Sequence, residues 1–395
     1  MKKGKAPLVQ ATTSLELDLH ENNFAQLEVE QNRYCSQFLI ETTSSAALLK
    51  QELASFGESL VVIGAPPHVH IHLHTDEPAK IMQVLLKKHK LLNQKIEDMK
   101  EMNALQYNRK HSIGLLTDSI ADLPNEYMDE HQIHLLPLNL ICDSVVYQDK
   151  VTMTSDYIYD LIETADKHPT SAQPSSATME TLFRRLISHY DSLVCVFVSS
   201  QMSGTYDQAK KIADSISSEG KKITVIDSIQ NSSAEGLLVY KAAQLIESGL
   251  SHDQVVTSLE DIKKDTHIYV AVQDLKNMVR GGRISKRAGY LLSRLNLKPV
   301  ISIDQDGKGM IYEKAFSQKS ATGKILKKFR KDAESRGIES YSIVYASYNE
   351  QVDAFLQQLK KISHMEPLYK VPISPIVAIN AGDGAFAVSY IKKGV

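Results

Sequence analysis

Three short apolar runs repeat one design, and they constrain the fold more than any other feature of the chain. They are "SIGLLTDS" (112–119), "LVCVFVSS" (193–200) and "KITVIDS" (222–228), each ending in small polar residues ahead of a helical pattern. Strands that are apolar on both faces and alternate with helices are typical of a parallel sheet covered by helices on each side. The sequence therefore predicts an α/β fold with a Rossmann-like parallel sheet.

The length of the chain and the change of pattern along it predict several domains. A chain of 395 residues is too long for one ordinary domain. We expect a two-domain α/β part over 112–395, with subdomains of about 112–235 and 236–395, the second combining further helices with a mixed sheet. A small α+β domain is predicted over 17–105. Residues 1–16 have few bulky apolar side chains and are predicted to be a flexible lead-in.

Charge and cysteine content exclude several classes of partner. Lys plus Arg number 45 against 47 Asp plus Glu, which leaves a formal charge of −2. This balance gives no electrostatic reason to expect nucleic acid or an anionic membrane as partner. Three scattered cysteines do not suggest a disulfide framework, and the basic start has no apolar stretch behind it. We therefore expect a cytoplasmic protein without a transmembrane segment.

Small polar residues are concentrated at two places, and at one of them they predict an anion site. In "SSQMSGTYDQA", Ser203 and Gly204 precede a helical pattern, where backbone N–H groups and the helix dipole favour negative charge. A helix cap needs only one such residue, and the density of hydroxyls here exceeds that need. In "HPTSAQPSS", two prolines bracket Thr170 and Ser171. From composition alone, a plain surface turn with Ser175 or Ser176 capping the next helix is the better interpretation of that loop.

Five motifs, taken together, resemble the DegV family in order and spacing. They are "TDSIADLP" (117–124), "PTSAQPS" (169–175), "SSQMSGTY" (199–206), "VIDS" (225–228) and "LKNMVRGGRIS" (275–285). The resemblance extends over residues 112 to 395. It implies a two-domain α/β fold that holds one long-chain fatty acid. It also implies a role as the carrier subunit of a fatty acid kinase system, in which a separate kinase phosphorylates the acid while the carrier holds it.

The resemblance also implies roles for individual residues. Those implied to bind the carboxylate are Thr170, Ser171, Ser203, Gly204 and Asn380, and those implied near the head group or phosphate are Thr117, Asp118, Ser119 and Arg283. Two positions depart from the family pattern. Ala172 stands where the family usually has serine, and Asn380 stands where it often has histidine. Asparagine can hydrogen-bond a carboxylate but cannot supply positive charge, so this departure bears mainly on phosphoryl transfer.

The segment "HVHIHLHT" (68–75) is an alternating strand with one polar face. The residues on that face are His68, His70, His72 and His74. Successive side chains on one strand face lie roughly 6.5–7 Å apart, so two imidazoles can converge on one zinc ion. Without further context such a pattern is more often a half-exposed strand face than a metal site.

Residues 34 to 103 resemble the middle domain of the fatty acid kinase subunit, which carries a zinc ion. The resemblance implies that Cys35 of "YCSQF" and His72 and His74 of "HLHT" are the zinc ligands. His68 and His70 have no counterpart in that family. No segment of the chain resembles the kinase's nucleotide domain, so the resemblance implies that the partner is a separate kinase domain or subunit.

Two functional hypotheses remain from the sequence. The first is a lipid-binding module, without catalysis of its own, that presents a long-chain fatty acid to a partner kinase. The second is a zinc hydrolase in which Cys35, His72 and His74 hold the metal with a bound water, and Glu77 serves as base. A zinc ion that only stabilises the small domain or forms a homodimer face is compatible with the first hypothesis.

Overall fold

The computed structural model of the protein describes residues 32–284 and 297–394. The predicted lead-in, residues 1–16, lies outside the described residues, as does the start of the predicted small domain up to residue 31. Within the described part, the predicted α/β fold is confirmed, because a parallel sheet and several further sheets are packed with helices.

The first unit, residues 34–107, is an antiparallel sheet with helices on one face. Its strands are β1 (Tyr34–Glu41), β2 (Glu58–Ala65), β3 (His68–Thr75) and β4 (Lys90–Asp98), in the order β2-β3-β1-β4. Its helices are α1 (Ala46–Leu53), α2 (Pro78–Leu86) and α3 (Met99–Tyr107). Phe38 and Ile71 point into a buried core with Leu49 of α1 and Ile81 of α2. The alternate residues of β1 to β4 form the open face of the sheet, where Ile63 is 57% exposed.

The second unit contains the predicted parallel sheet. Its strands are β5 (Ile113–Asp118), β6 (Ile133–Leu136), β10 (Ser192–Phe197) and β11 (Lys222–Asp227), in the order β11-β10-β5-β6, and its helices are α4 (Asn125–Glu130), α6 (Ser176–His189), α7 (Thr205–Ser217) and α8 (Ser232–Glu247). Cys195 packs in one apolar cluster with residues of α6 and α7, and the neighbouring Val194 packs in another with residues of α8. Both faces of the strands are buried, which explains their continuous apolar runs.

A small antiparallel sheet projects from the second unit. It consists of β7 (Asn139–Cys142), β8 (Val145–Gln148) and β9 (Thr170–Ala172), in the order β8-β7-β9, with helix α5 (Ser155–Thr164) between β8 and β9 in the chain. The prolyl loop predicted from "HPTSAQPSS" thus contains a three-residue strand, in which Ser171 pairs with Leu140. Ser175 caps α6 by accepting a hydrogen bond from the Thr178 N–H at 3.1 Å, as the alternative interpretation of this loop predicts.

The third unit is a six-stranded mixed sheet. Its strands are β12 (Thr266–Ala271), β13 (Val300–Ile303), β14 (Gly309–Glu313), β15 (Ile338–Tyr345), β16 (Lys370–Pro372) and β17 (Phe386–Lys392), in the order β14-β13-β12-β17-β15-β16. Its helices are α10 (Lys276–Arg280), α11 (Gln318–Ser335), α12 (Glu350–Ser363) and α13 (Pro375–Ala381), whereas α9 (His252–Ile262) packs against α8 and the parallel sheet of the second unit. Phe329 of α11 and Phe355 of α12 cover one face of this sheet. The other face turns toward α8 and α13 and borders a cavity.

Candidate functional site

A cavity lies between the second and third units, and we call it the central cavity. Its volume is about 970 Å³ with its opening included, which is within the usual range for small-molecule sites. The wall is mainly apolar and combines distant parts of the chain, including Ile120, Leu138, Val198, Ile268, Ile301, Val344 and Ala387. Such a lining suits an apolar ligand of considerable length.

Four of the predicted binding residues line this cavity. They are Ser171, Ser203, Arg283 and Asn380. The Arg283 guanidinium connects its own turn with strand β9. Nη1 donates to the Gly281 carbonyl at 2.5 Å, and Nη2 lies 3.4 Å from Ser171 Oγ. A Cβ atom at position 281 would collide with Asn380 Oδ1. Glycine at this position therefore lets helix α13 approach the arginine turn closely.

Arg283 gives this part of the cavity its electrostatic character. The side chain is partly buried, and this burial lowers the pKa of its guanidinium. Among residues 32–284 and 297–394, no carboxylate lies within ion-pair distance of it. A partly buried cation without an acidic partner favours an anionic ligand.

The prolyl loop and the start of helix α7 meet beside Ser203. Ser203 Oγ lies 2.8 Å from Thr205 Oγ1 and accepts a hydrogen bond from the Thr205 N–H at 3.3 Å. Gly204 is exposed and does not line the cavity, and a Cβ atom there would lie 3.0 Å from Gln173 Oε1. Gln208 of α7 also donates to the Pro174 carbonyl at 3.0 Å. The structure thus brings the two predicted motifs together.

The other predicted residues occupy different positions. Thr170 is exposed and does not line the cavity, and on a strand successive side chains point to opposite faces, so it faces away from Ser171. Thr117, Asp118 and Ser119 are fully buried at the end of β5 and do not line the cavity. Their assignment to the head-group vicinity stays a prediction.

Asp118 and Ser119 instead hold the apolar wall in place. The Asp118 carboxylate accepts hydrogen bonds from the backbone N–H groups of Ile120 at 2.8 Å and Val198 at 3.0 Å. Ser119 Oγ accepts one from the Leu138 N–H at 3.1 Å. Burial raises the pKa of Asp118 to about 6, although these backbone hydrogen bonds oppose the shift. All three partner residues line the cavity.

Two buried aspartates that sequence reasoning missed position helix α13, which carries Asn380. Asp122 accepts a hydrogen bond from the Ser374 N–H at 2.9 Å, and Asp149 accepts one from the Ile376 N–H at 3.1 Å. Burial raises the pKa of Asp122, and it raises that of Asp149 to about 7. The sequence also did not indicate that apolar residues of the third unit line the cavity. Contacts between residues more than 200 positions apart leave no local signal in the sequence.

The three residues implied to bind zinc lie together on the open face of the first unit. Strand register pairs Cys35 with His74, and His72 is the next residue of β3 on the same face. The ligand atoms of the three side chains all lie within 4.8 Å of one another, and Cys35 Sγ is 3.9 Å from His72 Nδ1. A tetrahedral zinc with bonds of 2.0–2.3 Å separates its ligand atoms by roughly 3.3–3.8 Å, so this set of donors fits the metal.

Glu77, the base in the hydrolase hypothesis, stands at the N-terminus of α2. It forms an exposed ion pair with Lys80 at 2.9 Å.

None of the helices in the described part of the chain is both long and apolar enough to span a bilayer.

Comparison with known proteins identifies relatives of both parts of the chain. Residues 112–393 match the family described as "Uncharacterised protein, DegV family", and residues 31–105 match the family of FakA-like middle domains of fatty acid kinase. Protein DegV of Bacillus subtilis is 29% identical over 286 residues, which cover 71% of this chain and 100% of that protein. A DegV domain-containing protein of Clostridium acetobutylicum is 28% identical over 282 residues, covering 71% and 99% respectively. Both resemblances inferred from the motifs are confirmed.

Solved structures agree with these matches. A DegV family protein from Thermus thermophilus, described by its fatty acid binding, superposes with a TM-score of 0.65 at 28% identity, covering 71% of this chain and 100% of that one. DegV from Bacillus subtilis, described as a fatty acid binding protein, gives a TM-score of 0.65 at 27% identity, covering 72% and 100%.

Proposed function

This chain belongs to the DegV family, and on that basis we propose that its central cavity holds one long-chain fatty acid with the carboxylate beside Ser171, Ser203 and Arg283. The observation that carries the proposal is the combination of an apolar cavity with a partly buried arginine that no described carboxylate neutralises. The fatty acid binding described for the relatives supports the same ligand class.

The apolar tail supplies most of the binding free energy. Burying a chain of roughly 15 methylenes at ~0.8 kcal/mol each gives about 12 kcal/mol of gross driving force. Association itself costs about 4–15 kcal/mol in lost freedom, so the head-group contacts decide how much affinity remains. The head group therefore serves mainly to fix the orientation of the acid.

The polar residues around Arg283 suit a carboxylate. The hydroxyls of Ser171 and Ser203 can donate hydrogen bonds, and the guanidinium adds charge. Gly204 and Thr205 begin helix α7, whose dipole favours an anion near its first turn. The Asn380 amide already donates to the Ile376 carbonyl at 2.8 Å, which leaves its second N–H for the ligand.

We assign the chain to a two-component system in which a separate fatty acid kinase phosphorylates the bound acid. The match of residues 31–105 to a kinase-subunit middle domain supports this assignment. In that domain Cys35, His72 and His74 would hold a zinc ion. When bound, the metal would cross-link β1 to β3 and stabilise the sheet. The comparisons favour acyl binding over the hydrolase alternative.

The first test identifies the ligand. Purified full-length protein is denatured, and the released molecules are identified by mass spectrometry. One fatty acid per chain is expected. Recovery of no lipid, together with no uptake of palmitate or oleate by the stripped protein, would show that the cavity has another ligand.

Two variants locate the carboxylate. Replacing both Ser171 and Ser203 by alanine should weaken oleate binding by about tenfold or more, since a hydrogen bond to a charged group is worth about 1.5–3 kcal/mol. Ser188→Ala, on the exposed end of α6, is the matched control and should bind normally. Unchanged affinity in the double variant would move the carboxylate elsewhere.

The carrier role has its own test. Acyl phosphate is measured after ATP and a separately purified fatty acid kinase are added to the loaded protein. Formation of acyl phosphate is expected, and Asn380→His should increase its rate by restoring the residue of the family pattern. Failure of both proteins to support the reaction would remove the kinase assignment and leave fatty acid binding intact.

A further inference from the structure

The wall of the central cavity carries polar residues away from the head-group position as well. Apart from the four residues already placed beside the head group, three polar residues of the described chain line the cavity: Asn231, Ser232 and Ser302. The Ser232 hydroxyl donates to Asp122 Oδ2 at 2.6 Å, and the Ser302 hydroxyl donates to the Ile268 carbonyl at 2.7 Å. Both hydroxyl protons are therefore used within the protein.

Asn231 differs from these two serines, because its side chain is not used within the protein. The residue directly precedes helix α8, where asparagine commonly accepts a hydrogen bond from a backbone N–H of the first turn. Its side chain does not cap α8, and among residues 32–284 and 297–394 it has no other hydrogen-bond partner. The residue is half-buried. Its amide thus keeps two donors and an acceptor for a ligand in the cavity.

The turn that carries Asn231 is strained and is held by buried contacts. Ile229 and Ser232, on either side, have φ angles of 50° and 52°, in a region that a β-branched residue rarely adopts. Between them, the buried Gln230 donates from its side-chain amide to the Thr266 carbonyl at 3.0 Å. Such conformations persist where the surrounding structure fixes them, and they are concentrated at ligand sites. The position of Asn231 on the wall is therefore set before a ligand binds.

Asn231 lies away from the head group, toward the middle of the acyl chain. The neighbouring Ser232 contacts Asp122, which accepts a hydrogen bond from the N–H of Ser374, the residue that begins helix α13. Asn380, beside the head group, belongs to the last turn of α13. The helix between them spans roughly 9 Å at 1.5 Å per residue. An extended acyl chain advances about 1.25 Å per carbon, given C–C bonds of about 1.5 Å, so this length corresponds to roughly seven carbons.

On the basis of the proposed function, we propose that the central cavity is selective for an acyl chain with a hydroxyl or keto oxygen near its middle, and that the Asn231 amide binds this oxygen. An amide can donate a hydrogen bond to either kind of oxygen and can accept one from a hydroxyl. A saturated chain would instead separate the amide from water without giving it a partner. For a buried polar group this costs roughly five- to 150-fold in affinity.

The test compares stearate with 10-hydroxystearate on the delipidated full chain, by displacement of a fluorescent fatty acid. The wild-type protein should bind the hydroxylated acid about tenfold more tightly. Asn231→Leu removes the amide and matches the apolar wall, so it should bind stearate more tightly than the wild type and lose the preference. Asn231→Ala should lose the preference as well, without adding bulk. Asn103→Leu, exposed on α3, is the matched control and should keep it.

A positional isomer checks where the amide meets the chain. The affinity for 2-hydroxystearate, whose hydroxyl lies beside the carboxylate, should not exceed that for stearate in the wild type. A selective gain for this isomer that depends on Asn231 would place the amide at the head group and overturn the proposal. Equal affinity for stearate and 10-hydroxystearate, or a preference that survives both replacements of Asn231, would also overturn it and leave fatty acid binding intact. Uptake of none of these acids would instead overturn the proposed function itself.

Discussion

The cluster of Cys35, His72 and His74 and the central cavity differ in how far apart along the chain their residues lie. Cys35, His72 and His74 come from two paired strands within 40 residues of one another. The cavity wall combines Ile120 of the second unit with Ala387 of the third, more than 260 positions later. A local site depends on few residues and fails when one is changed. A cavity wall built from many distant residues should tolerate small substitutions, and ligand binding should be lost only when a larger side chain fills the cavity.

The largest effect is expected from a single change in the local cluster. Cys35→Ser removes the thiolate, the strongest zinc ligand of the set, and should lower zinc affinity by more than about a hundredfold. Zinc content is measured by atomic emission on the full chain, and bound fatty acid on the same sample. Lipid content should not change, since Cys35 does not line the cavity. Loss of lipid together with zinc would show that the two regions are coupled.

Sequence reasoning succeeded where chemistry and periodicity are local. Alternation in "HVHIHLHT" places the histidines on one face, and apolar runs such as "LVCVFVSS" predict the parallel sheet. Ser171 was named only because its motif resembles the DegV pattern, whereas the density of hydroxyls before a helix also pointed to Ser203, and both residues line the cavity. Ile268 and Val344 were not found as cavity residues, because an apolar strand residue looks the same whether it faces a core or a ligand. Asp149 was missed because its partner, the Ile376 N–H, is 227 positions away.

Filling the distributed cavity is expected to give the next largest effect. Val377 is half-buried on α13 and lines the cavity. In Val377→Trp the indole should displace roughly three to four methylenes of the acyl chain, at ~0.8 kcal/mol each, and weaken oleate binding about a hundredfold. Fluorescent fatty acid displacement measures the change, with Val146→Trp on the exposed part of β8 as the matched control. Normal binding by Val377→Trp would mean that the chain takes another path.

Asp149 holds helix α13 beside the cavity, and its ionisation should make the stability of the folded protein depend on pH. Its pKa is raised by burial to about 7 in the folded protein, above its ordinary value of 3.8. The folded state therefore binds the proton more tightly than the unfolded chain, so stability falls as pH rises from about 4 to about 7 and then levels off. Between pH 5.5 and 7 this amounts to about 2 kcal/mol. Asp118, with its pKa raised to about 6, adds to the slope in the same direction over the lower part of this range.

Asp149→Asn should remove the contribution of Asp149 to this slope and leave that of Asp118, because asparagine still accepts the Ile376 N–H but does not ionise. Denaturant unfolding at pH 5.5, 6, 7 and 8 measures the free energy of unfolding for both proteins. Asp156→Asn, on the surface of α5, should retain the wild-type slope. An identical slope in Asp149→Asn would assign the pH dependence to other groups.

The smallest effect is expected at the boundary between the first and second units, which several ion pairs cross. Glu101 of α3 accepts a hydrogen bond from His134 Nδ1 of β6 at 2.6 Å, and Arg33 and Lys100 both reach Asp129 of α4. Burial opposes ionisation of Glu101, but the hydrogen bond and charge of His134, together with the charges of Arg185 and Arg33, outweigh it and lower the pKa of the carboxyl. The contribution of this contact is therefore present above the ordinary pKa and is lost as pH falls.

Glu101→Gln keeps a hydrogen-bond acceptor and removes the charge, which should cost about 1 kcal/mol at neutral pH. If the boundary joins the regions into one cooperative unit, unfolding followed by calorimetry stays a single transition that shifts to slightly lower temperature. If the regions unfold separately, the variant lowers only the transition of the first unit. Glu126→Gln, exposed on α4, is the control for the loss of a charge alone. Equal shifts in both variants would mean that the contact with His134 contributes nothing beyond the charge that is lost.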